Sequence, residues 1–111
     1  MDRRKELKNQ YKNREIIGGV YRITCSGNGR SWLKSTCDLN EQQNRFRFFL
    51  SGNFTPEPGM RTEWNQFGAA SFSFAVLEEL KKGELQTEEE FAKDIQTLFE
   101  MWQQKQSEVF I

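Results

Sequence analysis

Residues 19–37 read GVYRITCSGNGRSWLKSTC and carry the strongest structural signal in the chain. Apolar and polar residues alternate in 19–25 and again in 30–37, which is the pattern of half-buried β-strands. Between them, residues 26–29 read Ser-Gly-Asn-Gly. Asn-Gly favours a β-hairpin turn because both residues adopt positive φ at low cost. The stretch therefore predicts two antiparallel strands joined by a tight turn.

The register of this hairpin follows from its centre. If the turn is centred after residue 27, the paired residues have numbers that sum to 55. Tyr21 then lies opposite Lys34, and Ile23 lies opposite Trp32. Because side chains alternate along a strand, these four share one face of the sheet, and a slip by one residue would separate them.

Two helices are predicted after the hairpin. Asp38 is a good N-cap for a helix over 39–50, in which apolar residues recur at close to helical spacing. Residues 51–59 contain both prolines of the chain and predict a loop. A short helix over 60–67 follows, and Gly68 is expected to end it.

The C-terminal part of the chain predicts one more strand and a long helix. Aromatic or branched residues alternate with small ones over 71–76, which indicates a half-buried strand. Thr87, with Glu90 three residues later, forms a capping box at the start of the last helix. The apolar residues of that helix follow a 3.6-residue period and are Phe91, Ile95, Leu98, Phe99 and Trp102.

The order of these elements indicates a small α+β fold in one domain that covers residues 1–111. Residues 1–16 are expected to form an N-terminal helical extension with little apolar content. Residues 107–111 are expected to form a tail, either loose or docked as a strand.

Composition limits the chemistry that the chain can perform. It has 111 residues, with 16 Lys+Arg, 16 Asp+Glu and no histidine. Without histidine, this chain alone cannot build a Ser-His-Asp triad, a Cys-His pair or a histidine-ligated metal site. Catalysis would have to use carboxylate, tyrosine, lysine or arginine side chains. Two cysteines make neither a disulfide framework nor a zinc site, which favours a reduced, cytoplasmic location.

Hydropathy and charge bear on the partners of the chain. No stretch approaches the about 20 consecutive apolar residues that span a bilayer, and the polar N-terminus has no secretory signal, so we expect no membrane. Residues 1–50 carry 11 basic and 5 acidic side chains, whereas residues 51–111 carry 5 basic and 11 acidic ones. Either one half presents a nucleic-acid-binding face, or the halves pack together and neutralise each other.

Several motifs resemble the GIY-YIG nuclease family. Gly19-Val20-Tyr21, the Gly-Asn-Gly-Arg turn and Trp32-Leu33-Lys34-Ser35 look like the paired strands of that domain. Residues 63–68 (EWNQFG) and 72–78 (FSFAVLE) look like its helix, glycine and third strand. The resemblance extends over about residues 17–105. It implies a small three-stranded antiparallel sheet flanked by helices.

The resemblance also implies a chemistry. Members of the family cut DNA with one divalent metal ion, such as Mg²⁺ or Mn²⁺, held by a glutamate on the last helix. Tyrosines from the hairpin and an arginine from the next helix assist. The metal polarises the phosphate, a tyrosine helps to activate water and the arginine stabilises the developing charge.

Only part of this machinery is present in the sequence. Tyr21 matches the tyrosine of the first motif, but Trp32 stands where the second tyrosine belongs, and indole cannot act as an acid or base. Lys34 replaces the glycine of that second motif. Gln42 stands where the arginine is expected, and Arg45 is the nearest replacement, three residues along the helix.

The metal ligand is displaced as well. Phe99 stands at the position of the family's glutamate, and Glu100 is one residue further, about 100° around the helix. A hard cation binds poorly without a carboxylate ligand. We therefore expect a domain that has lost cleavage, needs no cofactor and binds DNA weakly. The residues predicted to bind nucleic acid are Tyr21, Trp32, Lys34, Arg45 and Arg47.

Other interpretations stay open. A divergent endonuclease would use Tyr21 and Arg45 as catalytic residues and Glu100 as a ligand of Mg²⁺ or Mn²⁺. A protein-interaction or homodimer module would use exposed Phe and Trp side chains, because the phenylalanines between 46 and 54 cannot all share one helix face. Tyr21 and Trp32 are also interpretable as packing residues beneath the helices.

Overall fold

The computed structural model describes residues 15–52 and 57–109, with side chains described up to 106. The helix predicted near the N-terminus therefore lies largely outside the described residues, as does Phe54. The elements in chain order are β1 (Ile17–Cys25), β2 (Ser31–Thr36), α1 (Leu39–Gly52), a 3-10 turn (Pro58–Met60), α2 (Arg61–Phe67), a second 3-10 turn (Ala69–Ser71), β3 (Phe72–Lys81) and α3 (Glu88–Val109).

The three strands form one antiparallel sheet in the order β2-β1-β3, flanked by the three helices. This confirms the predicted α+β fold class. The hairpin has the predicted register, with Tyr21 opposite Lys34 and Ile23 opposite Trp32. Because β1 is the middle strand, its residues hydrogen-bond to neighbours on both sides.

The hairpin turn is a four-residue loop rather than the two-residue turn that Asn-Gly most often forms. The amide of Cys25 donates to the Arg30 carbonyl at 2.8 Å, and the Gly29 amide donates to the Cys25 carbonyl at 2.9 Å. Gly29 has a φ of 76°, which an L side chain rarely adopts. The Asn28 side chain accepts from the Arg30 amide at 3.0 Å and so holds the loop from within.

The third strand is longer than its alternating pattern predicts. Val20 pairs with Glu78, but Tyr21 pairs with Val76, so Leu77 is an extra residue in β3. Such a β-bulge interrupts the alternation of side chains. The strand continues beyond it to Lys81, where the polar sequence carries no strand signal.

The side chains of β1 point alternately into two helical layers. On one face, β1 packs against α1, α2 and the first 3-10 turn, and the buried cluster there contains Tyr21, Ile23, Cys25, Leu39, Phe46, Met60, Trp64 and Phe72. On the other face, a methyl group added to Gly18 would lie 2.9 Å from Cδ1 of Ile95 on α3. Val20 shares that face by alternation, and it is buried together with Phe91 and Ile95.

Local capping signals are confirmed at the helix starts. The Glu41 amide donates to the Asp38 carboxylate at 3.1 Å, and the Glu90 amide donates to the Thr87 hydroxyl at 3.1 Å. Helix α2 ends at Gly68, as predicted.

Two helices extend beyond their predicted ends. Helix α1 continues to Gly52, into the stretch predicted as a loop, and α3 continues to Val109, into the predicted tail. Among the described residues, no helix is long and apolar enough to cross a membrane.

Candidate nucleic-acid interface

A small cleft lies between the hairpin and α1. Tyr21 of β1 and Arg45 of α1 both line it, together with Gln42 and Glu57. Its volume is about 70 Å³, and the apolar part of its wall is formed by Ile23, Phe46, Phe49 and Phe74. The structure therefore brings together two of the residues that the sequence marked as candidates, from elements that are separate in the chain.

Tyr21 forms part of the core as well as of this cleft. It is only 5 % exposed, and its ring stacks on Phe74 with centroids 4.5 Å apart and planes at 16°. Burial raises the pKa of Tyr21 to about 12, the Glu57 carboxylate adds to the rise and the Arg45 guanidinium opposes it. The phenol is therefore protonated near neutral pH, where it can donate a hydrogen bond and is a poor base.

This burial corrects one prediction for Tyr21. Tyr21 was predicted to bind nucleic acid, but its ring is buried and stacks on Phe74, so it is not free to stack on a base. The alternative interpretation, that Tyr21 is a packing residue beneath the helices, describes its ring correctly.

Arg45 provides the positive charge of the cleft. Its guanidinium lies 5.6 Å from the centroid of the Phe49 ring. Within the described residues it forms no ion pair. Gln42, one helical turn earlier, lines the same cleft. Arg45 therefore lines the same cleft as Gln42, the residue that stands where the family resemblance implies an arginine.

Lys34 and Glu57 form an ion pair beside the cleft. Lys34 is on β2 opposite Tyr21, and Glu57 immediately precedes the first 3-10 turn. The sequence predicted Lys34 as a phosphate-binding residue and assigned Glu57 no role. Glu57 precedes Pro58, which favours an extended backbone, and it has φ −148° and ψ 150°. That local rule was the only signal in the sequence for its conformation.

The remaining nucleic-acid candidates lie outside the cleft. The Trp32 ring is half-buried and stacks near Phe72 with centroids 5.9 Å apart, while the Arg30 guanidinium lies 4.9 Å from its centroid. Arg47 is exposed on α1 and lines a separate groove between α1 and β3. The predicted basic surface is therefore divided between at least two concave regions.

Glu100 is not part of the cleft. It is exposed on α3 and accepts a hydrogen bond from Gln96 at 3.3 Å, whereas α3 packs on the sheet face opposite Tyr21. Phe99 beside it is half-buried. Within 15–52 and 57–109, no group of three or more His, Cys, Asp or Glu side chains is placed to hold a metal ion.

Like Glu57, Glu63 was assigned no role of its own from the sequence. It was noted only as the first residue of the stretch 63–68 (EWNQFG). Glu63 is buried on α2, and its carboxylate accepts from the Arg30 guanidinium at 2.7 Å. That hydrogen bond lowers the pKa of Glu63. Together with the Lys34–Glu57 pair, it joins the basic N-terminal half of the chain to the acidic C-terminal half. Both pairs agree with the interpretation that the two halves pack together and neutralise each other.

Comparison of the chain with protein-family models, with curated proteins and with solved structures finds no match. The resemblance to the GIY-YIG family therefore stays a prediction made from the motifs.

Proposed function

We propose that this chain is a GIY-YIG-like domain that has lost nuclease activity and binds DNA weakly through the cleft and the adjacent face of α1. One observation carries the proposal: Tyr21 and Arg45 line the same cleft. A phenol and a guanidinium are both hydrogen-bond donors, and phosphate oxygens accept such bonds strongly. Arg47 lies on the same helix but in the groove between α1 and β3, where it supplies a second positive charge for the DNA backbone outside the cleft.

The same geometry favours binding over cleavage. Hydrolysis of a phosphodiester needs an activated water, and Tyr21 with its raised pKa is a poor base near neutral pH. In the resemblance, a glutamate of the last helix holds the metal ion, but Glu100 lies outside the cleft. The divergent endonuclease is therefore the less favoured alternative.

Salt dependence of DNA binding tests the proposal. Fluorescence anisotropy with labelled duplex and single-stranded DNA should show affinity that falls linearly with salt on logarithmic axes between about 50 and 200 mM. Arg45→Ala and Arg47→Ala should each weaken binding and reduce the slope by about one. Lys93→Ala removes the same charge from the first half of α3 and should change neither quantity.

Two outcomes would contradict the proposal. If the Lys93→Ala variant loses as much affinity as the Arg45→Ala variant, binding is non-specific and does not use the cleft. If the wild-type protein does not bind DNA even at the lowest salt concentration, nucleic-acid binding is wrong and the protein-interaction alternative is favoured.

A further inference from the structure

The Glu57 carboxylate lies among the groups that would bind a phosphate. Glu57 lines the cleft with Tyr21 and Arg45, and it forms the ion pair with Lys34. Glu57 and Arg45 are both close enough to Tyr21 to affect its pKa, because the Glu57 carboxylate raises it and the Arg45 guanidinium lowers it. The Glu57 carboxylate is therefore paired with one ammonium and shares the cleft with a phenol and a guanidinium.

A carboxylate and a phosphate make the same demands on such donors. Both are anions that accept charge-assisted hydrogen bonds from Lys, Arg and hydroxyl groups. When Glu57 is in place, the charge of Lys34 is neutralised and an approaching phosphate meets a carboxylate of its own sign.

We propose that Glu57 occupies the phosphate position of this cleft and competes with the DNA backbone, so that a phosphodiester binds there only when it displaces the Glu57 side chain. This inference depends on the proposed function and adds a regulatory residue to it. Glu57 thereby sets how weak the binding is.

The surrounding structure allows this displacement without unfolding. Met60, at the end of the 3-10 turn that follows Glu57, is fully buried and anchors the backbone. The Glu57 side chain itself is 40 % exposed, and that of Lys34 is 29 % exposed. Partly exposed ion pairs are weak, so the carboxylate can move into solvent while the backbone stays in place.

The test compares two variants that lose the same charge. Glu57→Gln removes the competing carboxylate, and Glu79→Gln removes an exposed carboxylate of β3 that does not line the cleft. Glu57→Gln should bind duplex DNA about three- to fivefold more tightly than Glu79→Gln, which is the size expected when one partly exposed opposing charge is lost. Equal affinities of the two variants, with measurable wild-type binding, would overturn the inference and leave the proposed function intact.

A second readout does not depend on DNA. Inorganic phosphate titrated into each variant should shift the NMR signal of the Arg45 side-chain Nε–H at lower concentration in Glu57→Gln than in Glu79→Gln. If neither the wild-type protein nor either variant binds DNA, the proposed function is wrong. The phosphate titration alone then decides the inference. Equal phosphate affinities in the two variants would then overturn it. Thermal unfolding of both variants shows whether each is folded before the comparison is made.

Discussion

At the residue scale, the buried phenol of Tyr21 makes the stability of the protein depend on pH at high pH. Tyr21 has a pKa raised to about 12, first because it is buried and second because Glu57 is near. An unfolded tyrosine titrates near 10. Below about pH 10 the phenol is neutral in both states and does not change stability with pH. Between about pH 10 and 12 only the unfolded state loses the proton, so stability falls as the pH rises.

The fall in stability at high pH can be measured. The free energy of unfolding in urea should fall more steeply between about pH 10 and 12 for the wild-type protein than for Tyr21→Phe, which has no proton to lose. Lysines titrate in the same range, and the comparison with the variant subtracts them. Parallel pH profiles for the two proteins would show that the Tyr21 pKa is not raised by folding.

Single residues also show where sequence reasoning reaches its limit. The position of Tyr21 opposite Lys34 was predictable because strand register follows from local alternation and the turn. The approach of Glu57 to the same site was not predictable, because it depends on a contact with Lys34, 23 residues away in sequence. No periodicity in the sequence encodes that contact. Arg45 was predicted as the replacement arginine because helical spacing fixes its angular position on α1.

At the element scale, the close pairing of β1 and β3 depends on Gly19. An added Cβ at this position would lie 2.0 Å from the carbonyl oxygen of Glu78, which belongs to the backbone and cannot move aside. Gly19→Ala should therefore destabilise the protein by about 1–3 kcal/mol, the range measured when extra atoms are forced into packed sites. Urea unfolding measures the change.

Gly83→Ala is the matched control for this substitution. Its added Cβ would lie 3.5 Å from Cβ of Gln86, an ordinary contact distance. It should leave the free energy of unfolding within about 0.5 kcal/mol of the wild-type value. Equal effects of the two substitutions would mean that the β1–β3 approach at Gly19 is not tight.

Elements were predictable to the extent that their signals are local. Asp38 and Thr87 mark helix starts through bonds to amides three residues away, and both signals were correct. The end of β3 was not predictable, because the bulge at Leu77 breaks the alternation on which strand recognition depends. Its last residues are held in the strand by pairing with β1, which is a contact distant in sequence.

At the scale of the whole molecule, the expected chemistry depends on which sheet face each helix covers. Helix α1 brings Arg45 to the Tyr21 face, while α3 packs on the opposite face with Glu100. The candidate metal ligand, Glu100, therefore lies on the opposite side of the sheet from Tyr21 and Arg45, the candidate hydrogen-bond donors to phosphate. Sequence motifs alone could not show this, since they give the order of elements but not the face on which each packs.

The consequence for activity is direct. Supercoiled plasmid incubated with the protein and Mg²⁺ or Mn²⁺ should remain supercoiled, and Glu100→Ala should behave like the wild-type protein. Agarose gel electrophoresis measures the conversion to nicked circles. Metal-dependent nicking that disappears in both Glu100→Ala and Arg45→Ala would establish the endonuclease alternative and overturn the loss of cleavage.

The central position of β1 in the sheet makes one side of the cleft more rigid than the others. Its floor belongs to a strand held by hydrogen bonds on both edges, so local opening there requires that the sheet itself separates. Its other described walls, α1 and Glu57, are not part of the hydrogen-bonded sheet. We therefore expect α1 and Glu57, rather than β1, to shift when the cleft adjusts to the size of a bound molecule.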